Sequence, residues 1–589
     1  VGDTAVARFV DSADDVRIAV YEEGRPDGPT LVMAHGWPDS HVLWDGVVPG
    51  LADRFRIIRY DNRGVGNSSV PKAVSAYTIG KLADDLGAVI AAVGRPGEAV
   101  HLLGHDWGSV STWEYLSRPG ASDRVASFTS VSGPSTAIYW GYLVASLKRP
   151  YRPVKFVQAV DRFARLTYWY PFALPVIGPA AFRLMFRGDR AKKALTDRVP
   201  GAQRYRGDTI VDDLLNSLKI YRALVLKPPL SIPADRYVNV PVQLIVATED
   251  PVVRPHGFDD HARWVPRLWR RDIKAGHWSP MSHPQVIATA VGELVDFLDG
   301  RPAARSLLRA QVGRTRDDFG DTLVSVTGAG SGIGRETALA FARAGAELIV
   351  SDIDEATVKD TAARIVQRGG VAHPYVVDVS AADAVERFAD QVCAEHGVPD
   401  IVVNNAGVGQ AGAFLDTPAD HWERVLDINL GGVVNACRAF GKRLVERGTG
   451  GHIVNVASIA SYSPSRTLNA YCTSKAAVYM FSDCLRAELD VAGISLTTIC
   501  PGLTDTNIVH ATRFDVPGRS QESLEKRRDE LKWLFRLRRH GPDKAADAIV
   551  SAVKKNKPIR PITPEAYLLY GTSRVAPGAL RRLAGQRLV

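Results

Sequence analysis

Cysteine is scarce in this chain: five residues of 589, all in the second half, at Cys393, Cys437, Cys472, Cys484 and Cys500. The number is odd and no two make a C-x-x-C pair, so neither a metal site nor a disulfide framework is suggested. The thiols read as reduced groups of a cytoplasmic protein. A charged-then-apolar leader is also lacking, for the chain opens VGDTAVARF without an initiator methionine. Long unbroken apolar runs are missing too. The aromatic-rich uncharged run LTYWYPFALPVIGPAAF, at residues 166–182, has 17 residues broken by three prolines and a glycine. It suits a lipid- or substrate-facing cap segment better than a transmembrane helix.

What is present is ordinary globular composition, 46% hydrophobic and 23% charged, in a chain too long for one core. The net charge of +9 is unevenly placed: residues 519–589 hold 17 Lys and Arg against 7 Asp and Glu. Within that tail, EKRRDELKWLFRLRRH and the leucine before it carry Leu524, Leu531, Leu534 and Leu537 at roughly helical spacing. Two readings stay open, a solvated amphipathic helix covering a site or a peripheral contact with an anionic membrane surface or acyl chain. Nucleic acid is not expected, because no recognition motif accompanies the charge.

Apolar β-rich runs alternate with helical patterns throughout, which predicts an α/β fold with parallel sheets covered on both faces. In the first half the strand candidates are TLVMAHG, FRIIRYD, AVHLLGH, VASFTSVSG, VQLIVATED and RRDIKAGH. The insert at about 135–237 reads as a helical cap. A second series runs TLVSVTG, ELIVSD, PYVVDVS, DIVVNNAG, GHIVNVAS and ISLTTICPG. The polar, Arg/Gly-rich join at 299–320 is the expected linker between domains at 1–298 and 321–589.

GHDWGS, at 104–109, has the strand–turn–helix pattern of a nucleophile elbow, but with Asp106 where serine usually stands. Serine attacking a saturated carbon would leave an ether that water does not open. A carboxylate leaves an ester, which an activated water hydrolyses at its carbonyl. Asp106 therefore points to an sp³ electrophile such as an epoxide or alkyl halide. Asp250 and His277 follow in the chain order acid then histidine, to orient and to supply the base for that water. The backbone N–H groups of Trp37 and Trp107 are the natural oxyanion donors. His35 and His105 read as packing groups, and His256, His261 and His283 as surface or loop residues.

Residues 1–298 resemble the epoxide hydrolase branch of the α/β-hydrolases, on HGWPDSHVLW, DNRGVGNS, GHDWGS, TEDPVVRP and GHWSPMSHP. That resemblance implies two cap tyrosines donating hydrogen bonds to the epoxide oxygen. It nominates Tyr221 in KIYRA and Tyr168 in LTYWYPF, with Tyr170 as the fallback. The rival reading is a haloalkane dehalogenase, in which indole N–H groups would hold halide.

In the second half, TGAGSGIG places Thr327, Gly328, Gly332, Ile333 and Gly334 after a strand and at the start of a helix. Such glycines let a pyrophosphate approach the helix N-terminus. Asp352, 18 residues after Gly334, is placed to accept from an adenosine ribose hydroxyl. A carboxylate there repels a 2′-phosphate and Ser331 is uncharged, so NAD is expected over NADP. Tyr471 and Lys475, four apart in NAYCTSKAAV, share a helix face, where an ammonium would favour phenolate. Ser458 can hydrogen-bond the substrate oxygen.

This half resembles the short-chain dehydrogenase/reductase family over about 321–589. NNAG gives Asn405, Ala406 and Gly407, DV gives Asp378 and Val379, and CPGLTDT gives Pro501, Gly502 and Thr504 as the cofactor set, with turn chemistry the equal alternative for Asp378 and Asn405. Ser458 stands 13 residues before Tyr471, and Asn429 in DINLGG matches the asparagine that holds a water of the proton relay. Cys472 is expected only to pack.

The whole chain resembles two-domain fusions of epoxide hydrolase with dehydrogenase of mycobacterial type, which implies lipophilic epoxides and their alcohols or ketones, in lipid or mycolic acid metabolism. A homo-oligomer is expected from the dehydrogenase half, and a cytoplasmic site, peripheral to the membrane if the basic tail binds it. A second reading makes that half a cofactor-binding or oligomerising scaffold.

Overall fold

The computed structural model describes residues 8–167, 169–175, 179–180, 210–226, 237–502, 504, 512–515 and 541–584. Tyr168 and the amphipathic stretch at 519–540 lie outside them. The chain divides into two compact units between residues 314 and 315.

The first unit is built on an eight-stranded sheet. Its strands are β1 (Arg8–Ser12), β2 (Val16–Gly24), β3 (Thr30–Ala34), β4 (Arg56–Tyr60), β5 (Val100–His105), β6 (Val125–Val131), β7 (Val242–Ala247) and β8 (Leu268–Ile273), in the spatial order β1-β2-β4-β3-β5-β6-β7-β8. All six strands expected here are found. The two added are β1 and β2, an antiparallel pair that extends an otherwise parallel sheet. Every residue of β3, β4, β5 and β7 is buried, as strands covered on both faces require. Between β6 and β7 the cap supplies helices Thr136–Leu147, Pro153–Leu166, Trp169–Ala173, Ile210–Ser217 and Lys219–Leu226.

The expected linker is partly structured. Helix Arg305–Ala310 buries Leu307 and Ala310 against Trp269 and Leu294, and Gln311 bridges to Trp269, so this stretch belongs to the first unit. Two leucines in a polar run are too few to show a period, which is why the sequence reads as loop.

The second unit has a seven-stranded, wholly parallel sheet. Its strands are β9 (Leu323–Thr327), β10 (Glu347–Asp352), β11 (Val371–Val376), β12 (Ile401–Asn404), β14 (Gly451–Val456), β15 (Ile494–Cys500) and β17 (Ile559–Pro561), in the order β11-β10-β9-β12-β14-β15-β17. The short strands β13 (Gln410–Gly412) and β16 (Arg513–Asp515) pair separately. Strand order reverses at β9, with β10 on one side and β12 on the other. In such sheets ligands bind in the crevice at that reversal, beyond the strand C-termini. Among the described residues no helix is long and apolar enough to cross a membrane.

Candidate active sites

In the first unit, three strand ends converge. Asp106 follows β5, Asp250 lies just beyond β7, and His277 follows β8. Asp106 holds φ 48° and ψ −120°, a conformation that costs a non-glycine residue energy and persists only where the surroundings fix it. The neighbours do so by leaving no room. A Cβ on Gly108 would lie 2.2 Å from the Ala34 carbonyl oxygen, and one on Gly36 2.5 Å from the Asp106 Cβ. The elbow thus depends on glycines flanking the nucleophile position and facing it.

The Asp106 carboxylate accepts from Trp37 N–H at 3.0 Å through Oδ2, and the Trp107 N–H also donates to it. Its Oδ1 stands 3.8 Å from His277 Nε2. His277 Nδ1 is 2.7 Å from Asp250 Oδ2, and Asp250 Oδ1 accepts from the N–H groups of Val252 and Val253 at 2.7 and 2.9 Å. Burial opposes charge on His277, but the Asp250 charge, its hydrogen bond and the Asp106 charge outweigh it and hold the imidazole up at about 9. Burial likewise raises Asp106, against the pull of His277 and the two N–H donors. For Asp250 the His277 charge and the local hydrogen bonds overcome burial and keep the carboxyl below its usual range. One expected outcome follows. In Asp106→Asn, one of the anions holding the His277 proton is gone, so the midpoint of its NMR titration falls from about 9 toward the ordinary 6.5. An unchanged midpoint would mean that Asp106 does not act on this ring.

The other histidines divide cleanly. His35 Nε2 accepts from Asn62 N–H, so Nδ1 donates to the Gly36 carbonyl, which makes it scaffolding for the Trp37 loop. His105 bonds the His277 carbonyl through Nε2, and burial drives it down to about 3. His261 is not a surface residue. It is fully buried between Trp113 and Phe258 and accepts from Ser135 N–H, because its short turn packs beneath the cap's entry. DNRGVGNS is scaffolding as well: Asp61 accepts from Tyr21 and His41, and Arg63 forms a buried bidentate pair with Asp85.

Beside Asp106 lies a cavity enclosing about 490 Å³ of empty space, part of it open to solvent, lined by Trp107, Val110, Ser132, Tyr139, Trp140, Leu166, Trp169, Val252 and Val253 among others. Tyr221 is buried, with its ring edge-on to Trp37 and Trp107 at centroid distances of 5.2 and 5.5 Å. It therefore packs on both residues whose N–H groups meet Asp106, although it is not among the residues lining that cavity. Tyr170, the fallback, is 56% exposed. Tyr139, Trp140 and Trp169 carry no motif, and only their place in an aromatic-rich insert hints at a lining role.

In the second unit the glycine loop closes on β12. Asn405 Nδ2 donates to the carbonyls of Thr327 and Gly328, and the N–H groups of Asn405 and Ala406 both donate to Thr327 Oγ1. Gly328 holds φ +64°, and a Cβ on Gly334 would lie 2.1 Å from its carbonyl oxygen. Gly330, absent from the expected set, is as constrained: its N–H donates to Asp352 Oδ2 at 2.8 Å and a Cβ would lie 2.3 Å from Thr357 Oγ1. The loop leads into helix Gly332–Arg343, whose first N–H groups have no partner within the helix. This cradle, with a half-buried Asp352 at its side, fits a nicotinamide dinucleotide: Gly328, Gly330, Ser331, Gly332, Ile333 and Gly334 would hold its pyrophosphate. Asp378 caps its own turn through Ser380, and Val379 packs against Gly432 while its carbonyl accepts from Asn435. Asp378 and Asn405 both make turn and loop contacts of this kind.

Tyr471 and Lys475 lie on helix Asn469–Leu489. Ser458 hydrogen-bonds the Tyr471 hydroxyl, but burial dominates and pushes the phenol up. Burial also brings Lys475 down to about 8; its Nζ donates to the Val456 carbonyl and stands 5.9 Å from the Tyr471 ring centre. The expected lowering of the phenol by lysine is thus not present in the protein alone. Asn429 lies in a π-turn, Asp427–Gly431. Its amide accepts from Val408 N–H and donates to the Val408 carbonyl and to Ser474, tying the NNAG loop to the tyrosine helix. Ile459 N–H donates to the Pro501 carbonyl, a Cβ on Gly502 would meet Thr563, and buried Thr504 bonds the Gly502 carbonyl. All five cysteines are free, Cys437 and Cys500 buried.

A family model described as alpha/beta hydrolase fold matches residues 29–284, and one described as short chain dehydrogenase matches 322–516. Proteins named "Probable oxidoreductase EphD" from Mycobacterium bovis and Mycobacterium tuberculosis are 64% identical over 587 residues, covering 99% of this chain and 99% of theirs. A D-threitol dehydrogenase of Mycolicibacterium smegmatis is 37% identical over 226 residues, 38% of this chain and 83% of that protein. Among solved structures, a short chain dehydrogenase/reductase from Burkholderia phymatum in complex with NAD is 25% identical, with a TM-score of 0.42, over 46% of this chain and 99% of its own. The chain belongs to the EphD family, in which an α/β-hydrolase unit is followed by a short-chain dehydrogenase unit.

Proposed function

We propose that the first unit is an epoxide hydrolase working through an Asp106 ester, and that the second oxidises a secondary alcohol with NAD. The observation that carries the hydrolytic half is the carboxylate at the elbow, held by two backbone N–H groups and 3.8 Å from the His277 ring. An Asp106 oxygen attacks an epoxide carbon, the ring C–O bond breaks, and the oxygen takes a proton from a cap tyrosine, Tyr221 with Tyr168 as its partner. Esterification removes the Asp106 charge, which frees His277 to deprotonate water at the step that needs a base. That water attacks the ester carbonyl, with the Trp37 and Trp107 N–H groups receiving the oxyanion, and the diol leaves with an oxygen that began in Asp106.

The apolar lining of the cavity favours a lipophilic epoxide. Against halide release stands the Trp37 indole N–H, which donates to the Leu214 carbonyl at 3.3 Å.

In the second unit, bound NAD would supply the hydride acceptor and a positive charge near the reacting carbon. Tyr471 takes the alcohol proton, Ser458 holds the substrate oxygen, and buried Lys475 and Asn429 fix the tyrosine helix. The Asp352 carboxylate favours a free ribose hydroxyl over a 2′-phosphate. A vicinal diol is itself a secondary alcohol, so the two reactions form a natural series. Incubating the full chain with an epoxy fatty acid tests the whole reading: diol is expected without NAD, and hydroxyketone with NADH when NAD is added. Diol that is never oxidised would make the units independent, and unreacted epoxide would sink the first half.

A further inference from the structure

Away from both active sites, Glu347, His373 and His396 meet at the free edge of the second sheet. Glu347 begins β10 and His373 lies in the edge strand β11. The register pairs Glu347 with Val371 and Ile349 with His373, so Glu347 and His373 point to the same face of the sheet. His396 is the last residue of helix Ala382–His396, which packs on that face through Phe388 against Tyr375. One ligand atom from each of the three residues lies within 4.8 Å of the other two, His373 Nε2 being 3.0 Å from Glu347 Oε1. The two imidazoles stack with centroids 4.0 Å apart. Tyr375 lies with its hydroxyl 2.9 Å from His396 Nε2 and donates to Glu395 at 2.6 Å, so the His396 ring is held from outside the trio.

We infer that Glu347, His373 and His396 form a binding site for a divalent transition-metal ion of the zinc type. Two imidazoles and one carboxylate suit zinc or cobalt, whereas calcium and magnesium prefer all-oxygen sets. In a tetrahedral zinc site with Zn–N of about 2.05 Å, ligand atoms stand about 3.3 Å apart. The Glu347–His373 pair is already that close, and His396 has at most about 1.5 Å to travel, within reach of a side chain at a helix end on a partly exposed edge. Tyr375 and Glu395 occupy the place of outer partners that orient a metal-bound histidine. The ion would fasten the edge strand to the helix behind it and to β10. Glu347 and Asp352 stand at opposite ends of β10, about 17 Å apart at 3.3 Å per residue, so the site serves stability rather than hydride transfer. The sequence carries no metal pattern here because the three residues are separated by 26 and 23 positions on different elements.

The test uses the untagged full chain, stripped with chelator and then dialysed against zinc chloride. About one zinc per chain is expected to remain, with a rise in the melting temperature of the dehydrogenase unit and no change in NAD-dependent turnover. The His373→Ala/His396→Ala variant should bind zinc at least about tenfold more weakly and lose the thermal shift. Equal zinc in wild type and variant, or none in wild type, would overturn the assignment. Cobalt binding to wild type alone gives a second readout should the variant not fold: visible absorption of a tetrahedral site is expected, and its absence contradicts the inference.

Discussion

A His277→Gln variant mixed with a long-chain epoxide will gain the mass of one epoxide and keep it. Attack needs only the Asp106 carboxylate and a proton donor in the cap, neither of which the substitution removes. Release needs a base for water, and His277 is the imidazole within 4 Å of the Asp106 carboxylate. Steady-state turnover should fall by about 10²–10⁴, the usual worth of a positioned base, while the first attack proceeds. Proteolysis and mass spectrometry should place the added mass on the peptide containing Asp106, and the double variant with Asp106→Asn should carry none. Loss of turnover without an adduct in His277→Gln would mean that the histidine acts before the ester forms.

Replacing Tyr471 by Phe should reduce NAD-dependent alcohol oxidation by about 10²–10⁴ and leave diol formation unchanged. The substitution removes only the hydroxyl that Ser458 bonds. Lys475 keeps its bond to the Val456 carbonyl and Asn429 its bonds to Val408 and Ser474, so the helix should stay in place. Binding of NAD, followed by quenching of protein fluorescence, should therefore be near wild type. Retained oxidation would move the proton transfer to another group. If wild type itself binds NAD yet turns over no secondary alcohol, the scaffold reading prevails. Since burial, with Cys472 adding to it, raises the phenol, its activation has to come from what the bound cofactor and substrate add, and activity should rise with pH through the alkaline range.

Much of this architecture was written in local patterns. Eleven of the strands coincide with short apolar runs, since parallel strands buried on both faces are apolar throughout, whereas the edge strand β11 begins three residues before its expected run and has no buried residue. The elbow, the glycine loop and the Tyr-x-x-x-Lys pair are equally local, because each needs its residues at fixed separations on one turn or one helix face. Strands β1 and β2 were missed. They form an antiparallel hairpin at the sheet edge, where apolar and polar residues mix. β17 was missed because three residues ending in proline make too short a run. Gly330 was overlooked although it sits inside the quoted loop, for its need arises from Asp352 and Thr357, which only the fold brings near. The same holds for His261, whose burial is a tertiary fact, and for Tyr139 and Trp169, which become cavity walls only when the cap folds over the sheet. Asp378 and Asn405 also make contacts that hold turns and loops, through Ser380 and through the Thr327 and Gly328 carbonyls.

In the proposed reaction an Asp106 oxygen, not water, is the atom that opens the epoxide. Single turnover in ¹⁸O-water, with enzyme in excess over epoxide, tests this directly. The diol from that turnover should carry no heavy oxygen, and the heavy atom should be found in the Asp106 peptide. Heavy oxygen in the first diol, with Asp106 unlabelled, would contradict the account.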